Sequence, residues 1–262
     1  MTEHLHYDVR DGVATITLDR PERKNAFTME MVDAWADRIA EARRDSAVGA
    51  LVLTGAGAAF CAGGDLDVID ADTDSALAAK RALSEHIHRV AFAMEEFDKP
   101  SIAAINGVAV GAGLDMALMC DLRFMSRSAR VCEGYIRLGL VPGDGGAYYL
   151  PRIVGVAKAL EMLWTGDFVD AEEALRIGLA SAVYDDDELA VATHAFAAKL
   201  AAGPAIATRM IKRAVYQGLR TDLRTSLDLI SSHMGVVGTS EESRRYQEAL
   251  RARIRTSQGA RS

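Results

Sequence analysis

Two stretches of this sequence share one grammar. The apolar run "GALVLTG" (49–55) leads into the glycine-rich loop "AGAAFCAGGDL", and "SIAAING" (101–107) leads into "VAVGAGLDM". Each loop ends in an aspartate, Asp65 or Asp115, followed by an apolar residue. Glycine lets a reacting atom come close to backbone N–H groups. Two such donors aimed at one carbonyl oxygen form an oxyanion hole. A third stretch, "LVPGDGG" (140–146), sets Asp144 among glycines just after Pro142. A carboxylate whose proton affinity is raised by burial can move a proton. Together these groups suit chemistry in which charge grows on a carbonyl oxygen while an acid shuttles a proton. Quieter readings stand beside this one. The glycines would also allow tight packing of helix on strand, and Asp115 and Asp144 are short acids suited to capping helices. Two loops of the same form favour the chemical reading. Asp65 is expected to cap or hold its own loop.

Other chemistries lose support. "VLTGAGAAF" (52–60) places Phe60 where a G-x-G-x-x-G dinucleotide turn needs its third glycine. Tyr135, Tyr148, Tyr149 and Tyr216 are followed at the fourth place by Gly139, Arg152, Ile153 and Arg220, so no Tyr-x-x-x-Lys pair exists. There is no GK[ST] loop and no G-x-S-x-G elbow. The three cysteines, Cys61, Cys120 and Cys132, are odd in number and lack C-x-x-C spacing, which points to a reducing, cytoplasmic setting and no zinc site. His86 and His88 stand two apart on an expected helix and so face different sides, as solvated residues rather than metal ligands. No metal is expected. The net charge of −7 argues against nucleic-acid and anionic-membrane partners. The apolar segment 101–122 is interrupted by glycines, Asn106 and Asp115, and reads as buried core rather than a membrane span. The N-terminal dozen residues lack the pattern of a signal peptide.

Elements must position these groups. Tyr7–Arg10, the Asp11-Gly12 pair and Val13–Leu18 form an expected hairpin. The polar loop "DRPERKN" carries Arg20, Arg23 and Lys24, and a helix then lines up Val32, Trp35 and Ile39. Strand, glycine loop and helix occur twice, with a weaker third copy in "LRFMSRSARVCEG" and "LGLVPGDGGA". The pattern implies an α/β fold with a buried sheet and its loops gathered at one edge. One helix is expected from about 75 to 97. From Asp170, an N-cap with Glu173 three residues on and Gly178 as C-cap, the chain turns helical. Helices are expected at about 186–201, 204–218, 222–234 and 240–256. The division is a core over 1–200 and a helical appendage over 201–262.

Five ordered segments carry a resemblance: "LDRPERKNAF" (18–27), "GAGAAFCAGGDL" (55–66), "INGVAVGAGLDMALMCDLRF" (105–124), "LGLVPGDGGAYYLPRIVG" (138–155) and "TGDFVDAEEALRIGLASAVYDDDEL" (165–189). The sequence resembles the enoyl-CoA hydratase/isomerase (crotonase) superfamily over nearly its whole length. The resemblance implies a ClpP-like spiral of repeated ββα units with a helical C-terminal trimerisation region, assembled as a homotrimer or a dimer of trimers. It implies an acyl-CoA or enoyl-CoA substrate, with coenzyme A present as part of the substrate and no permanently bound cofactor. The thioester oxygen would sit between the N–H groups of Gly64 and Ala112; alanine stands where the family commonly has glycine and still supplies the N–H. Arg23 and Lys24 would meet the CoA phosphates. The chain around Ala26, Ala62, Gly63, Gly64, Asp65 and Leu66 would border the CoA, Tyr135 would line the substrate site, and Lys212 would reach a neighbouring subunit's CoA.

The pattern also breaks. Hydratases of the superfamily carry two glutamates; the first matches Asp115, the second falls at Tyr135. Glu133 lies two residues earlier, a shift that keeps the same face on extended backbone. In dienoyl-CoA and ring-isomerising relatives a working aspartate sits one residue before the place of Asp144. The expected proton carriers are therefore Asp115, Asp144 and Glu133, in that order, with Tyr135 either a pocket wall or a hydroxyl donor. Hydration of an enoyl-CoA or migration of its double bond is the expected reaction. The alternatives are thioester hydrolysis, ring cleavage, and acyl-CoA binding without catalysis. RNA binding, known for one relative, is opposed by the acidic charge balance.

Overall fold

In the computed structural model, which describes residues 3–65 and 75–259, the chain opens on the expected hairpin. Asp11 and Gly12 take φ values of 54° and 74°, the two positive angles that a tight hairpin turn requires. They join β1 (Leu5–Arg10) to β2 (Val13–Leu18) in antiparallel register. Thr28 caps α1 (Met29–Arg44) by accepting from the Met31 N–H, and Val32, Trp35 and Ile39 are buried along one stripe of that helix.

One unit then repeats three times. β3 (Ala50–Gly55) and β4 (Ala59–Cys61) come first; further along are α2 (Ala76–Ala82), a π-helical turn Leu83–Ile87 and α3 (His88–Glu96). The second unit is β5 (Ser101–Ile105), β6 (Val108–Val110) and α4 (Ala112–Leu118). The third is β7 (Leu122–Ser126), β8 (Arg130–Cys132), a 3-10 turn Gly134–Leu138 and α5 (Gly146–Val154). After α6 (Val156–Thr165) come β9 (Val169–Asp170), α7 (Ala171–Arg176), β10 (Ala182–Tyr184) and α8 (Leu189–Ala201). Asp170 caps α7 as expected, accepting from the Glu173 N–H at 2.8 Å.

The first strand of each unit joins a six-stranded sheet of order β1-β2-β3-β5-β7-β10, and the second joins a four-stranded sheet of order β4-β6-β8-β9. β4, β6 and β8 are neighbours and run parallel. Their C-terminal ends therefore come side by side, and the segments that follow, 62–65, 111–115 and 133–135, share one edge. Ligands of open α/β sheets bind at such carboxyl ends.

Both faces of the large sheet are covered, so its strands read as near-continuous apolar runs. Ile16, Leu18, Leu51, Leu53 and Ile105 share a core with Trp35, Ile39 and Phe97, while Val13, Ala50, Val52, Ile102 and Ala104 pack with Leu189 and Ala197 of α8. The segment 101–122 lies inside this structure as β5, β6, α4 and the start of β7. Among the described residues, no single helix is long and apolar enough to cross a membrane.

The last helices are α9 (Ala205–Gly218), α10 (Leu223–Thr239) and α11 (Glu241–Gly259). They add no residue to either buried core. Ion pairs hold α9 and the turn after it to the core: Arg209 to Asp98, Lys212 to Asp121 and Arg220 to Glu95. α10 outruns its expected end near residue 234. Gly235 and Gly238 both face open space, and the helix passes through them. The expected single helix over 75–97 is also corrected, since the π-helical turn at Leu83–Ile87 breaks its phase.

α4 lies close against β4 because residue 113 is glycine. A Cβ there would sit 2.2 Å from the Cys61 carbonyl oxygen, a backbone atom that cannot rotate away. Gly113→Ala is expected to destabilise the fold by about 2–3 kcal/mol, read as a lower urea midpoint. Gly235→Ala, on an open helix face, is expected to raise stability by roughly 0.5–1 kcal/mol.

Candidate active site

The "ERKN" and "CAGGD" loops form one tied unit. The Ala62 N–H donates to Lys24 O at 3.0 Å, the Phe27 N–H to Gly63 O at 2.9 Å, and the Asp65 N–H to Phe27 O at 2.9 Å. Asp65 is buried and receives Arg20 on Oδ2 and Arg23 on Oδ1, each at 3.0 Å. It holds its loop, as one of the two sequence readings has it. Asn25 is the pivot. It is fully buried at φ 58°, and its amide donates to Ala56 O (2.9 Å) and Ala59 O (2.7 Å). Cys61 packs beneath, its Sγ 3.2 Å from Asn25 O; burial pushes this thiol up to about 12, so it is inert.

Two N–H groups are left without a partner inside these elements. Phe27 and Gly64 form a parallel bridge made through Gly63 O and Asp65 N–H, so the Gly64 N–H points the opposite way. Ala112 opens α4 after Gly111, and a first-turn N–H has no partner within its helix. The two segments meet: a Cβ on Gly63 would lie 3.8 Å from Ala112 N.

The three expected acids come together around one phenol. The Tyr135 hydroxyl lies 2.7 Å from Asp115 Oδ2 and 2.8 Å from Asp144 Oδ2. Asp115 and Glu133 are fully buried and Asp144 nearly so. Neither aspartate caps a helix: α4 is capped by Gly111 and α5 by Gly145, both without a side-chain hydrogen bond. Tyr135 is a hydroxyl partner, which resolves its two readings. The N-terminus of α5 closes the group, because a Cβ on Gly146 would lie 2.4 Å from Asp115 Oδ1 and 3.1 Å from Glu133 Oε1.

A phenol has one hydrogen to donate. It cannot serve both aspartates, so the second short contact needs a proton on one of the two carboxyls. The electrostatics agree. Burial pushes Asp115 up to about 7, the Tyr135 hydroxyl pulls it back, and the charge of Asp144 raises it again. Burial also raises Asp144, against the Tyr135 hydrogen bond and the charge of His88. Asp144 is thus the first to ionise, and its charge keeps the proton on Asp115. Burial and the Asp115 charge push Glu133 up to about 10, so it is protonated at neutral pH. Asp115 and Glu133 act on each other both through charge and through a loose side-chain hydrogen bond, each raising the proton affinity of Glu133. Apart from this loose contact, Oδ1 of both aspartates and both Glu133 oxygens lack a hydrogen-bond partner among the described residues. Orphaned buried carboxyl oxygens are costly and cluster at functional sites.

Not every expected residue joins this group. Lys212 is held within its own chain by Asp121 Oδ2 (2.8 Å) and Lys99 O (2.9 Å). Leu66 lies outside the described residues. The side chain of Arg23 is 45% exposed beyond its Asp65 contact. A cavity of about 840 Å³ lies between α9 and the core, but it is lined by none of the three acids; Tyr149 and Met119, which stand beside Gly145, wall it off. His88 is a correction. The sequence reading placed it in solvent, whereas it is half-buried with Nε2 2.9 Å from Gly143 O. Its two-residue spacing from His86 gave the wrong environment because the π-helical turn shifts the helix face. Only the alternation of burial on a regular helix is legible in sequence, not such a turn.

Repeated ββα units whose second strands bring backbone donors and buried carboxyls to one edge define a crotonase-fold protein. The family model described as enoyl-CoA hydratase/isomerase matches residues 8–253. The 1,2-epoxyphenylacetyl-CoA isomerase of Escherichia coli is 36% identical over 96% of this chain and 95% of its own. The crotonyl-CoA hydratase of Syntrophomonas wolfei is 31% identical over 95% of each chain. The crystal structure of an enoyl-CoA hydratase from Bacillus anthracis superposes with a TM-score of 0.89 at 29% identity, covering 96% of this chain and 97% of the other. The chain belongs to the enoyl-CoA hydratase/isomerase family and is an enzyme of it.

Two outcomes follow from the shared proton. Tyr135→Phe removes the bond that lowers Asp115, so the ionisation seen near neutral pH in a pH–rate profile should move up, by about one unit. Glu133 and Asp115 bind protons more tightly folded than unfolded. Their contribution to stability is therefore complete below about pH 4 and is lost as pH rises through about 7 for Asp115 and about 10 for Glu133. Glu133→Gln should flatten the fall in thermal midpoint between neutral and alkaline pH; an unchanged slope would remove Glu133 from the buried, protonated set.

Proposed function

We propose that this enzyme processes acyl-CoA thioesters through a thioester enolate, hydrating an enoyl-CoA or shifting its double bond. The observation that carries the reading is the convergence at one sheet edge of two N–H groups without a partner inside their own elements and three buried carboxyls with raised proton affinity. The N–H groups of Gly64 and Ala112 hold the thioester oxygen, where negative charge grows in the transition state. Asp144, as the carboxylate, takes a proton from carbon in isomerisation or from water in hydration. In isomerisation the C–H electron pair moves into the enolate, onto the held oxygen; in hydration the water oxygen bonds to the β-carbon as its proton leaves, and the C=C pair moves into the enolate. Collapse of the enolate takes a proton at carbon from Asp115, and the proton left on Asp144 then returns to Asp115 through the Tyr135 hydroxyl, which contacts both. Glu133 stays protonated, so no second charge forms beside Asp115 and its proton affinity remains near neutral.

The exposed side of Arg23, together with Lys24, meets the CoA phosphates, and the main chain of Ala26, Ala62, Gly63, Gly64 and Asp65 borders the pantetheine arm. The helical region 201–262 self-associates, as a trimer or a dimer of trimers. Exposed Ile211, Leu219, Leu223 and Met234 support this. Three unpaired, buried cysteines support a reducing, cytoplasmic setting.

The test is incubation with a panel of enoyl- and acyl-CoAs in D2O, followed by mass spectrometry. Gain of water marks a hydratase, and deuterium with a moved double bond marks an isomerase. Free CoA marks a hydrolase, and binding without any change marks a non-catalytic binder. Asp115→Asn and Asp144→Asn should each lower turnover by about 100-fold or more while thioester binding persists. If both variants keep the wild-type rate, the acid assignment fails.

A further inference from the structure

We propose that His88 is a positioning residue for Asp144, acting through the Gly143 carbonyl; the inference rests on the catalytic reading above. A carbonyl only accepts, so the 2.9 Å contact requires the hydrogen on His88 Nε2. That carbonyl belongs to the peptide group joining Gly143 to Asp144. The group is planar, so holding its oxygen fixes the plane from which the Asp144 side chain departs. The hold has a purpose at this place. Asp144 stands between Gly143 and Gly145, which takes φ 127°, and glycines do not restrain the chain themselves. On its far side the turn is tied to α5, where the Gly145 carbonyl accepts from the Tyr148 and Tyr149 N–H groups; on its near side the Gly143 carbonyl is held by His88.

The π-helical turn makes the anchor possible. Leu83 also touches this residue, its Cδ2 lying 3.4 Å from where a Gly143 Cβ would be. Leu83 and His88 are five residues apart. On a regular α-helix such residues point roughly 140° apart and would not meet one target. A turn bonded i to i+5 stacks them on one face, and Leu83–Ile87 is such a turn. The helix behind the anchor is held firmly. Arg89 pairs with Asp33 and Asp37 of α1, and His86 pairs with Asp33. Ile87, Val90 and Met94 are buried in the main core. A rigid helix thus grips an otherwise permissive turn at the peptide that carries the base. Displacement of a reacting group by about 1 Å can cost on the order of 100-fold in rate, so loss of the grip has a measurable effect.

The experiment compares His88→Phe, which keeps a ring but cannot donate, with His88→Gln, which restores an N–H donor. Wild type and both variants are assayed on the thioester that wild type turns over. The expected result is a fall in kcat of about tenfold or more for His88→Phe with KM changed less than about twofold, recovered to within about threefold of wild type by His88→Gln. Wild-type kcat in His88→Phe overturns the inference and leaves the catalytic reading standing. Equal losses in both variants, matched by lower thermal midpoints, assign His88 to folding and also overturn it. A wild type inert toward every thioester overturns the catalytic reading, and the inference with it.

Discussion

One hydroxyl hydrogen has two carboxylate claimants. Half-buried Tyr135 stands within hydrogen-bonding distance of two buried acids, Asp115 and Asp144. Two charged aspartates could not share it, so the site holds a proton as a condition of its own geometry. Among the described residues no ion pair reaches any of the three carboxyls, so their charge is limited by burial. Desolvation sets the scale of the raised proton affinities, and the neighbours decide the order of ionisation. Glu133, buried and raised further by the charges of Asp115 and Asp144, gives up its proton last. Asp144, pulled back by Tyr135 and His88, gives it up first.

That proton could not be shared without the frame. Asp115, Glu133 and Asp144 belong to separate segments, and what joins them is the side-by-side order of β4, β6 and β8. Close approach of main chain does the rest. Gly113 lets α4 lie on β4, and Gly146 leaves the space into which Asp115 and Glu133 point. Any side chain at 146 would occupy the place of the acids. The glycines of "PGDGG" thus divide their roles: Gly146 makes room, Gly145 supplies the left-handed turn, and Gly143 offers its carbonyl to His88.

Much of this was legible where a local rule governs. The Asp11-Gly12 turn, the Asp170 cap and the strand-loop-helix repeats follow from residues within a few places of one another. The repeated glycine loops ending in aspartate do lie together at one sheet edge, and Glu133, two residues before Tyr135, is buried as the face-keeping shift implied. The misses arise where distance in sequence hides contact in space. Whether Asp144 capped α5 or faced Asp115 depended on the reach of a phenol nine residues away. The environment of His88 depended on a π-helical turn, which has no local signature here. The expected end of one helix near residue 234 fell short, since the helix runs on through Gly235 and Gly238 to Thr239 although glycine disfavours helix.

The pair of departures from the two-glutamate pattern makes physical sense as one change. At position 115 the acid is a methylene shorter, so its carboxyl stands further back from the opposite side of the site. At position 135 a carboxylate gives way to a tyrosine, whose ring carries a hydroxyl further than a glutamate would reach. The ring rests against Gly111, where an added Cβ would lie 3.5 Å from Cε2. Its hydroxyl spans the space that the shorter acid leaves. The phenol keeps its proton, because burial and the neighbouring acids raise its proton affinity, so it offers no ionised oxygen to act as a base. It cannot replace the missing carboxylate. It can only pass the requirement on, to the next acid that its hydroxyl touches, and that acid is Asp144.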